Sequence, residues 1–403
     1  MGILDAPAAS KKDFDKSARR RKRLLDYYNP LDKLSVASTE KVMATPPTVT
    51  IGALNAASTL TNPRDYSASP VTTAGAPVVP PFRAYGGKVG VTTSTAVSNG
   101  GQLLAATSST TPYFIDFNTD APSFEIYSYG GTAGYYRVRI DGELVTASVT
   151  TSSGTSGNFR DLYAFGSRRM RHVEVECANL FRFKGVTVTT ADAVTPAFAP
   201  IGPRVAWAGD SYAGGAGATS ILTNHANLTC RTLGWKDVYN AGVGGTGYLT
   251  DGGGAAGKTK LLTRLQHDVY DYSPDIVVVQ LGFNDTYFTM TPSAVTTEAL
   301  ACYTDIKTNL PNSTLIVVGH LAMAPASAAQ IAMAAAIDSA VTQAGSKVDL
   351  YIKAIGATGG DWIDNSAQIA TYRAGDGIHP TQDGHILLAQ RITGAIRAAL
   401  PLG

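Results

Sequence analysis

Arg204-Val205-Ala206-Trp207-Ala208-Gly209-Asp210-Ser211 runs from a short apolar stretch into a glycine, an acid and a serine. The first five residues read as a buried strand, and the segment after Ser211 reads as a helix. A serine at the carboxyl end of a strand, beside the positive end of a helix, is a site for a nucleophile and for an anion. Working outward, Val238-Tyr239-Asn240 and Ile276 through Leu281 are further apolar strands, and Leu315 through Val318 and Val348 through Ile352 complete five. Helical stretches around 293–309 and 326–344 separate them, and a last helix from about Gln382 to Ala399 follows His379-Pro380. Strands alternating with helices predict an α/β domain on a parallel sheet.

Three more blocks fall in order after the serine: Asn240 through Gly245, Gly282-Phe283-Asn284-Asp285, and Asp376-Gly377-Ile378-His379. Together they hold every part of a serine esterase. A hydroxyl attacks an ester carbonyl only if a base removes its proton; His379 is the candidate base, and Asp376 the group that fixes its tautomer and stabilises the imidazolium. The oxyanion needs donors already aimed at it, and the candidates are the backbone N–H groups of Ser211 and Gly245 and the side-chain amide of Asn284. Taken singly, each block has a plainer reading: a serine after Gly-Asp as a helix cap, Asn-Asp after a strand as a turn, Asp-x-x-His as surface. Their order and their placement on strand ends favour catalysis. Asp210 reads as a turn-holding residue. Among the other histidines, His320 lies at a strand end and His385, in the final helix, is the competitor for the base; His172, His225 and His267 read as ordinary surface or core residues.

On these residues, 204–403 resemble the SGNH (GDSL-type) hydrolase family. Block I matches Gly209-Asp210-Ser211, the block II glycine matches Gly245, the block III asparagine matches Asn284, and the block V pair matches Asp376 and His379. Block III reads Gly-Phe-Asn-Asp, a variation that leaves the asparagine in place. The resemblance covers about half the chain and implies a flavodoxin-like three-layer α/β/α domain acting on esters, with no metal and no cofactor.

Two glycine motifs point elsewhere. Gly252 through Thr259 satisfies the Walker A spelling, but a phosphate loop must directly follow a buried strand and needs a later strand ending in aspartate, whereas 276–281 ends in Gln-Leu and runs into glycine. Gly242 through Gly247 spells a dinucleotide fingerprint, yet the glycine-rich residues that follow cannot open the required helix. A backbone that must approach a substrate closely explains the same glycines.

The rest of the chain bounds the setting. Charged residues are 16 % of 403 and the net balance is +2, so no global field favours nucleic acid or a membrane surface. Cys177, Cys230 and Cys302 are odd in number and lack a Cys-x-x-Cys, which suggests buried thiols instead of a zinc site or disulfides. Residues 1–81 read as an N-terminal arm and linker: a basic run at Arg19-Arg20-Arg21-Lys22-Arg23, no signal peptide or membrane span, then Thr-, Ala- and Pro-rich sequence over 44–81. Residues 82–200 carry alternating strands such as Ser123 through Tyr127 and Tyr136 through Ile140, with Asp141-Gly142 as a hairpin turn, and predict a jelly-roll-like β-sandwich. Tyr127, Tyr129, Tyr135, Tyr136 and Tyr163 offer rings for sugar stacking or, more often, for packing.

A sandwich directly before residues 201–403, the hydrolase, is similar to the two-domain carbohydrate esterases that deacetylate polysaccharides. The expected activity is therefore removal of a small acyl group, acetyl, from a glycan. With an arm and no export signal, the layout also resembles bacteriophage tail proteins, so a virion location, attachment through the arm and a homo-oligomer are expected, with a cytoplasmic enzyme as the alternative. The competing function is a non-enzymatic glycan-binding adhesin or tail structural protein that keeps the α/β scaffold.

Overall fold

Alternate residues of three apolar strands face opposite ways, and that alternation builds the C-terminal half. Ala206, Ala208, Val277, Val279, Leu315 and Val317 enter one core, under helices Leu261–Asp268, Pro292–Asn309 and Ala328–Ala344. Val205, Trp207, Ile276, Val278, Ile316 and Val318 enter a second, under His225–Thr232 and Gln382–Ala399. A sheet buried on both faces explains why these strands are continuously apolar. Local signals fix the helix ends: Pro292 occupies the first turn of its helix, and Ser327 and Gln330 close a reciprocal capping box on Ala328–Ala344.

The structure, a computed structural model, describes residues 35–399 except 69–70, 74–75, 79–80, 88–89, 93–95, 99–110, 131–133, 153, 179–180, 199–200, 256–257 and 357–360. The basic run at 19–23 lies outside the described residues. The five parallel strands stand in the order Asp237–Gly242, Arg204–Gly209, Ile276–Gln280, Thr314–Val318, Leu350–Ile352. Chain direction across the sheet reverses between Arg204–Gly209 and Ile276–Gln280, so a crevice opens beyond their carboxyl ends, where Ser211 and Asn284 follow. Among the described residues no helix is long and apolar enough to cross a membrane.

Two antiparallel sheets form the preceding domain. One runs Thr48–Thr50, Gly157–Ala164, Ser123–Gly130, Phe183–Thr189, Ala96–Ser98, Gly90–Thr92; the other runs Glu143–Leu144, Tyr135–Ile140, Arg171–Ala178, Tyr113–Thr119, Val194–Thr195. Ile115, Phe117, Phe124, Ile126, Val138, Val175 and Val186 pack between them. Asp141-Gly142 makes the tight turn between Tyr135–Ile140 and Glu143–Leu144, both residues at positive φ (53° and 90°). Tyr136 and Tyr163 are core residues, whereas Tyr127, Tyr129 and Tyr135 are partly exposed. The expectation of a linker over 44–81 needs correction. Thr48–Thr50 pairs with Gly157–Ala164, and Pro63–Ser67 pairs with Phe183–Thr189, so sandwich strands begin well ahead of Phe82. Both are edge additions whose side chains are largely exposed, so the apolar alternation that marks an inner strand is missing.

The outer face of the second sheet carries charge, and the α/β half covers it. On Arg171–Ala178, Val173 and Val175 point into the sandwich while Glu174 and Glu176 point out, yet both glutamates are buried. Arg231, on helix His225–Thr232, bonds Glu174 at 2.8 Å and also Glu176; Lys236 reaches Glu174 at 2.9 Å, and Arg137 reaches Glu176 at 2.6 Å. Arg139 joins Glu176, and Glu40 holds Arg137 at 2.6 Å and Arg139 at 3.0 Å. Burial alone would raise Glu176, but Arg137, Arg139 and Arg231 outweigh it and hold it down to about 2. Beside this network Ile221 and Leu222 pack on Tyr85, Phe114 and Tyr135. The sandwich thus buttresses the segment that follows Ser211.

Candidate active site

The segment after Ser211, the candidate nucleophile, is a glycine-rich coil of turns, in place of the expected helix. Gly215 and Gly217 take φ of +88° and +86°, which interrupts an α-helix, and after one 3₁₀ turn at Ile221–Thr223 the next α-helix begins only at His225, where the Asn224 side chain accepts from the N–H of Asn227. Ser211 therefore gains no helix terminus. What the glycines permit is close approach: a Cβ at Gly217 would lie 1.9 Å from the Pro380 carbonyl oxygen. Gln382 then accepts from Thr219 N–H and from the Thr223 hydroxyl, each at 2.9 Å. The Tyr212 hydroxyl donates to the Ile378 carbonyl at 2.7 Å. The serine loop and the histidine turn are stitched together along their length.

Across that seam three side chains form one line. His379 Nε2 is 2.8 Å from Ser211 Oγ, and His379 Nδ1 is 2.6 Å from Asp376 Oδ2. The second Asp376 oxygen accepts from the backbone N–H groups of Ile378 (2.9 Å) and His379 (3.0 Å). The His379 bond, with those two backbone donors, holds the Asp376 carboxyl down to about 2, so it stays ionised. As an acceptor on Nδ1–H it leaves the Nε2 lone pair facing the serine hydroxyl.

The loop after Asp237–Gly242 closes the other side. A Cβ on Gly244 would stand 3.5 Å from Ser211 Cβ, so this backbone lies directly against the serine, and Gly245 turns next at φ +82°. Asn284 Nδ2 donates to the Thr246 carbonyl at 3.0 Å, bringing the asparagine onto the same loop. Two supports had no role assigned to them from the sequence. Asp285 accepts from the backbone N–H groups of Tyr248, Leu249 and Thr250 at 2.8, 3.0 and 3.0 Å. Arg264 donates to the carbonyls of Ala241 (2.9 Å) and Gly209 (2.8 Å) and to the Thr246 hydroxyl (3.1 Å), tying the two strand ends to the loop. Asp285 was legible as the fourth residue of its block; nothing marks Arg264.

Asp210 is buried, and its Oδ1 accepts from Tyr212 N–H at 2.9 Å; burial, with the nearby Asp285 charge, raises it to about 7. His385 does not approach Ser211. It stacks on His225, their Nδ1 atoms 3.1 Å apart, and donates toward the Ala216 carbonyl at 3.0 Å; burial lowers it to about 3. His320 is buried against the Thr286 hydroxyl at 2.9 Å, and burial lowers it to about 4. His172 and His267 lie beside Asp116 and Asp268, away from the line. Cys177, Cys230 and Cys302 are buried free thiols. Among the described residues no group of three or more His, Cys, Asp or Glu could hold a metal ion.

Residues 208–387 match the GDSL-like Lipase/Acylhydrolase family. A search of curated proteins finds no match. Among solved structures, a family two carbohydrate esterase from Clostridium thermocellum in complex with cellohexaose is similar at TM-score 0.59 and 16 % identity, covering 79 % of this chain and 99 % of that one. An acetyl xylan esterase from the rumen bacterium Butyrivibrio proteoclasticus gives TM-score 0.56 at 13 % identity over 84 % and 99 %. A salicylyl-acyltransferase from a tetracycline biosynthetic pathway gives 0.55 at 14 % over 79 % and 96 %. At these identities the likeness is one of fold, and it spans the sandwich as well as the α/β half. It is the α/β half that carries the similarity to the GDSL-like lipases and acylhydrolases.

Proposed function

We propose that the protein is a serine esterase that removes small acyl groups, acetyl first among them, from a polysaccharide by two-step acyl transfer. The unbroken line from Asp376 through His379 to Ser211 is the observation that carries this reading. In the first step Ser211 Oγ attacks the acyl carbon as its proton passes to His379 Nε2, while ionised Asp376 stabilises the imidazolium. The N–H groups of Ser211 and Gly245 and the Asn284 amide receive the oxyanion. His379 returns the proton to the departing sugar oxygen, leaving the acyl group on Ser211. Water, deprotonated by His379, then attacks that ester; the acid leaves and the serine regains its proton. Arg264 and Asp285 act by positioning, since they hold the Gly245 loop in shape before substrate arrives.

The polysaccharide part of the proposal draws on the fold shared with the carbohydrate esterases and on the sandwich that abuts the nucleophile segment. Attachment to a particle such as a phage tail through the basic N-terminal arm belongs to the same proposal and rests on the reading of the sequence alone. Ser211→Ala is expected to abolish acetate release from acetylated xylan and labelling by a fluorophosphonate probe while the melting curve stays unchanged. Retained activity in that variant would refute the assignment. A wild-type protein that holds glycan yet takes no label is instead a binding protein on a hydrolase scaffold.

A further inference from the structure

Gly252 through Thr259, the stretch with the phosphate-loop spelling, folds back onto the Gly245 turn. Gly245 and Gly252 both have positive φ, +82° and +74°. The Lys258 stem uses the space their missing side chains leave: a Cβ on Gly252 would lie 2.6 Å from Lys258 Cδ, and one on Gly245 would lie 3.3 Å from Lys258 Nζ. Gly244, next in line, faces Ser211, and Gly253 faces the Phe288 ring, where a Cβ would stand 3.4 Å away. The ammonium is thus set on the rim of the crevice, one residue beyond the glycine that abuts the nucleophile.

Its neighbours' charges are matched. Lys260 pairs with Glu298 at 2.6 Å, Arg264 with Asp268 at 2.6 Å, and Asp285 is taken up by three backbone N–H groups. Asp251 accepts from Gly254 N–H at 3.0 Å. Lys258 is half-buried; its backbone N–H donates to the Ala255 carbonyl at 3.1 Å, while its ammonium has no hydrogen bond or ion pair with a described residue. With a chain balance of only +2, attraction for an anion has to arise locally. A lone ammonium on a flexible stem acts as a point charge and suits one oxygen of an anionic group, without the planar match a guanidinium demands.

We propose that Lys258 directs the esterase toward acyl groups carried on an anionic polysaccharide, binding the negative group of a sugar unit beside the acylated one. This rests on the esterase reading above and names the substrate class of that site. Purified full-length protein is assayed on acetylated polygalacturonate, acetylated xylan and p-nitrophenyl acetate, as wild type, Lys258→Gln and Lys258→Glu. For the anionic polymer, KM is expected to rise about 5-fold in the first variant and more than about 10-fold in the second, with kcat little changed. Xylan and p-nitrophenyl acetate should stay within about 2-fold, and added salt should raise KM for the anionic polymer in wild type but not in Lys258→Gln. Equal losses on all three substrates, no change on polygalacturonate, or a wild-type preference for xylan would each overturn the role of Lys258. Absence of any Ser211-dependent hydrolysis removes the esterase reading itself, an outcome separate from these.

Discussion

Tyr212, the residue after Ser211, donates its hydroxyl to the carbonyl of Ile378, the residue before His379, at 2.7 Å. The Ser211–His379 alignment is therefore fixed by a second bond one residue further out on each side. Proton transfer over 2.8 Å tolerates little displacement, so this outer bond sets how often the inner one is in line.

Tyr212→Phe should lower kcat about 10-fold, with KM for short esters nearly unchanged and stability reduced by about 1–2 kcal/mol, because the Ile378 carbonyl loses its donor. Stopped-flow labelling by a fluorophosphonate reads the same defect without acyl turnover. A wild-type labelling rate would show that the hydroxyl bond does not align the pair.

Asp376→Asn should reduce kcat by roughly 10³ to 10⁴-fold, less than the loss in Ser211→Ala or His379→Ala, since a poorly oriented imidazole still accepts a proton. The Asp376 carboxyl is held at about 2, so above about pH 4 its own titration leaves kcat flat in wild type. Equal activity of the asparagine variant and wild type across that range would mean the carboxylate charge is unused.

Asp210 supplies a stability test whose sign is opposite to that of the paired carboxylates. Its folded value, about 7, lies above the unfolded one of roughly 3.9, so the folded state binds the extra proton between them. Stability from this group is complete below that lower value and is lost as pH rises through 7. Asp210→Asn, which keeps an acceptor for Tyr212 N–H, should gain melting temperature relative to wild type on going from pH 4 to pH 8. A gap that stays constant over that interval would contradict a buried, proton-holding Asp210.

Arg231→Ala should cost about 3 kcal/mol or more, because Glu174 and Glu176 stay buried without their shared partner. Both glutamates lie below the ordinary carboxylate range in the folded chain. Their contribution is then present above about pH 5 and declines as pH falls through the unfolded value toward 2. Thermal melts at pH 7 and pH 4 should show a wild-type loss on acidification that is smaller in Arg231→Ala. A variant melting within 1 °C of wild type at pH 7, taken as about the scatter of such scans, would show the network to be dispensable.

How much of this was readable in the chain depends on where each residue's partners lie. Ile276–Gln280 and Thr314–Val318 are buried on both faces, so they stand out as apolar runs, and Ser327 with Gln330 marks a helix start through bonds three residues apart. The four blocks are visible because each packs its reactive residue into a few adjacent positions. Pro63–Ser67 hides because an exposed edge strand needs no apolar alternation. The helix expected after Ser211 fails at Gly215 and Gly217, and the small size of Gly217 serves contact with Pro380 some 160 positions later, a demand no local pattern records. Arg264 likewise answers to the carbonyls of Gly209 and Ala241, and Lys258 to the space over two glycines far from it in kind but near in space.

The guanidinium and glutamate lattice between sandwich and α/β half bears on how the protein can be cut. A fragment starting near residue 201 would carry Arg231 and Lys236 with their counter-ions deleted and would bare Ile221 and Leu222 to water just downstream of Ser211. The α/β half is consequently no portable cassette: excision should yield a frayed, aggregation-prone piece, and swapping in a foreign sandwich would demand rebuilding the seam residue for residue.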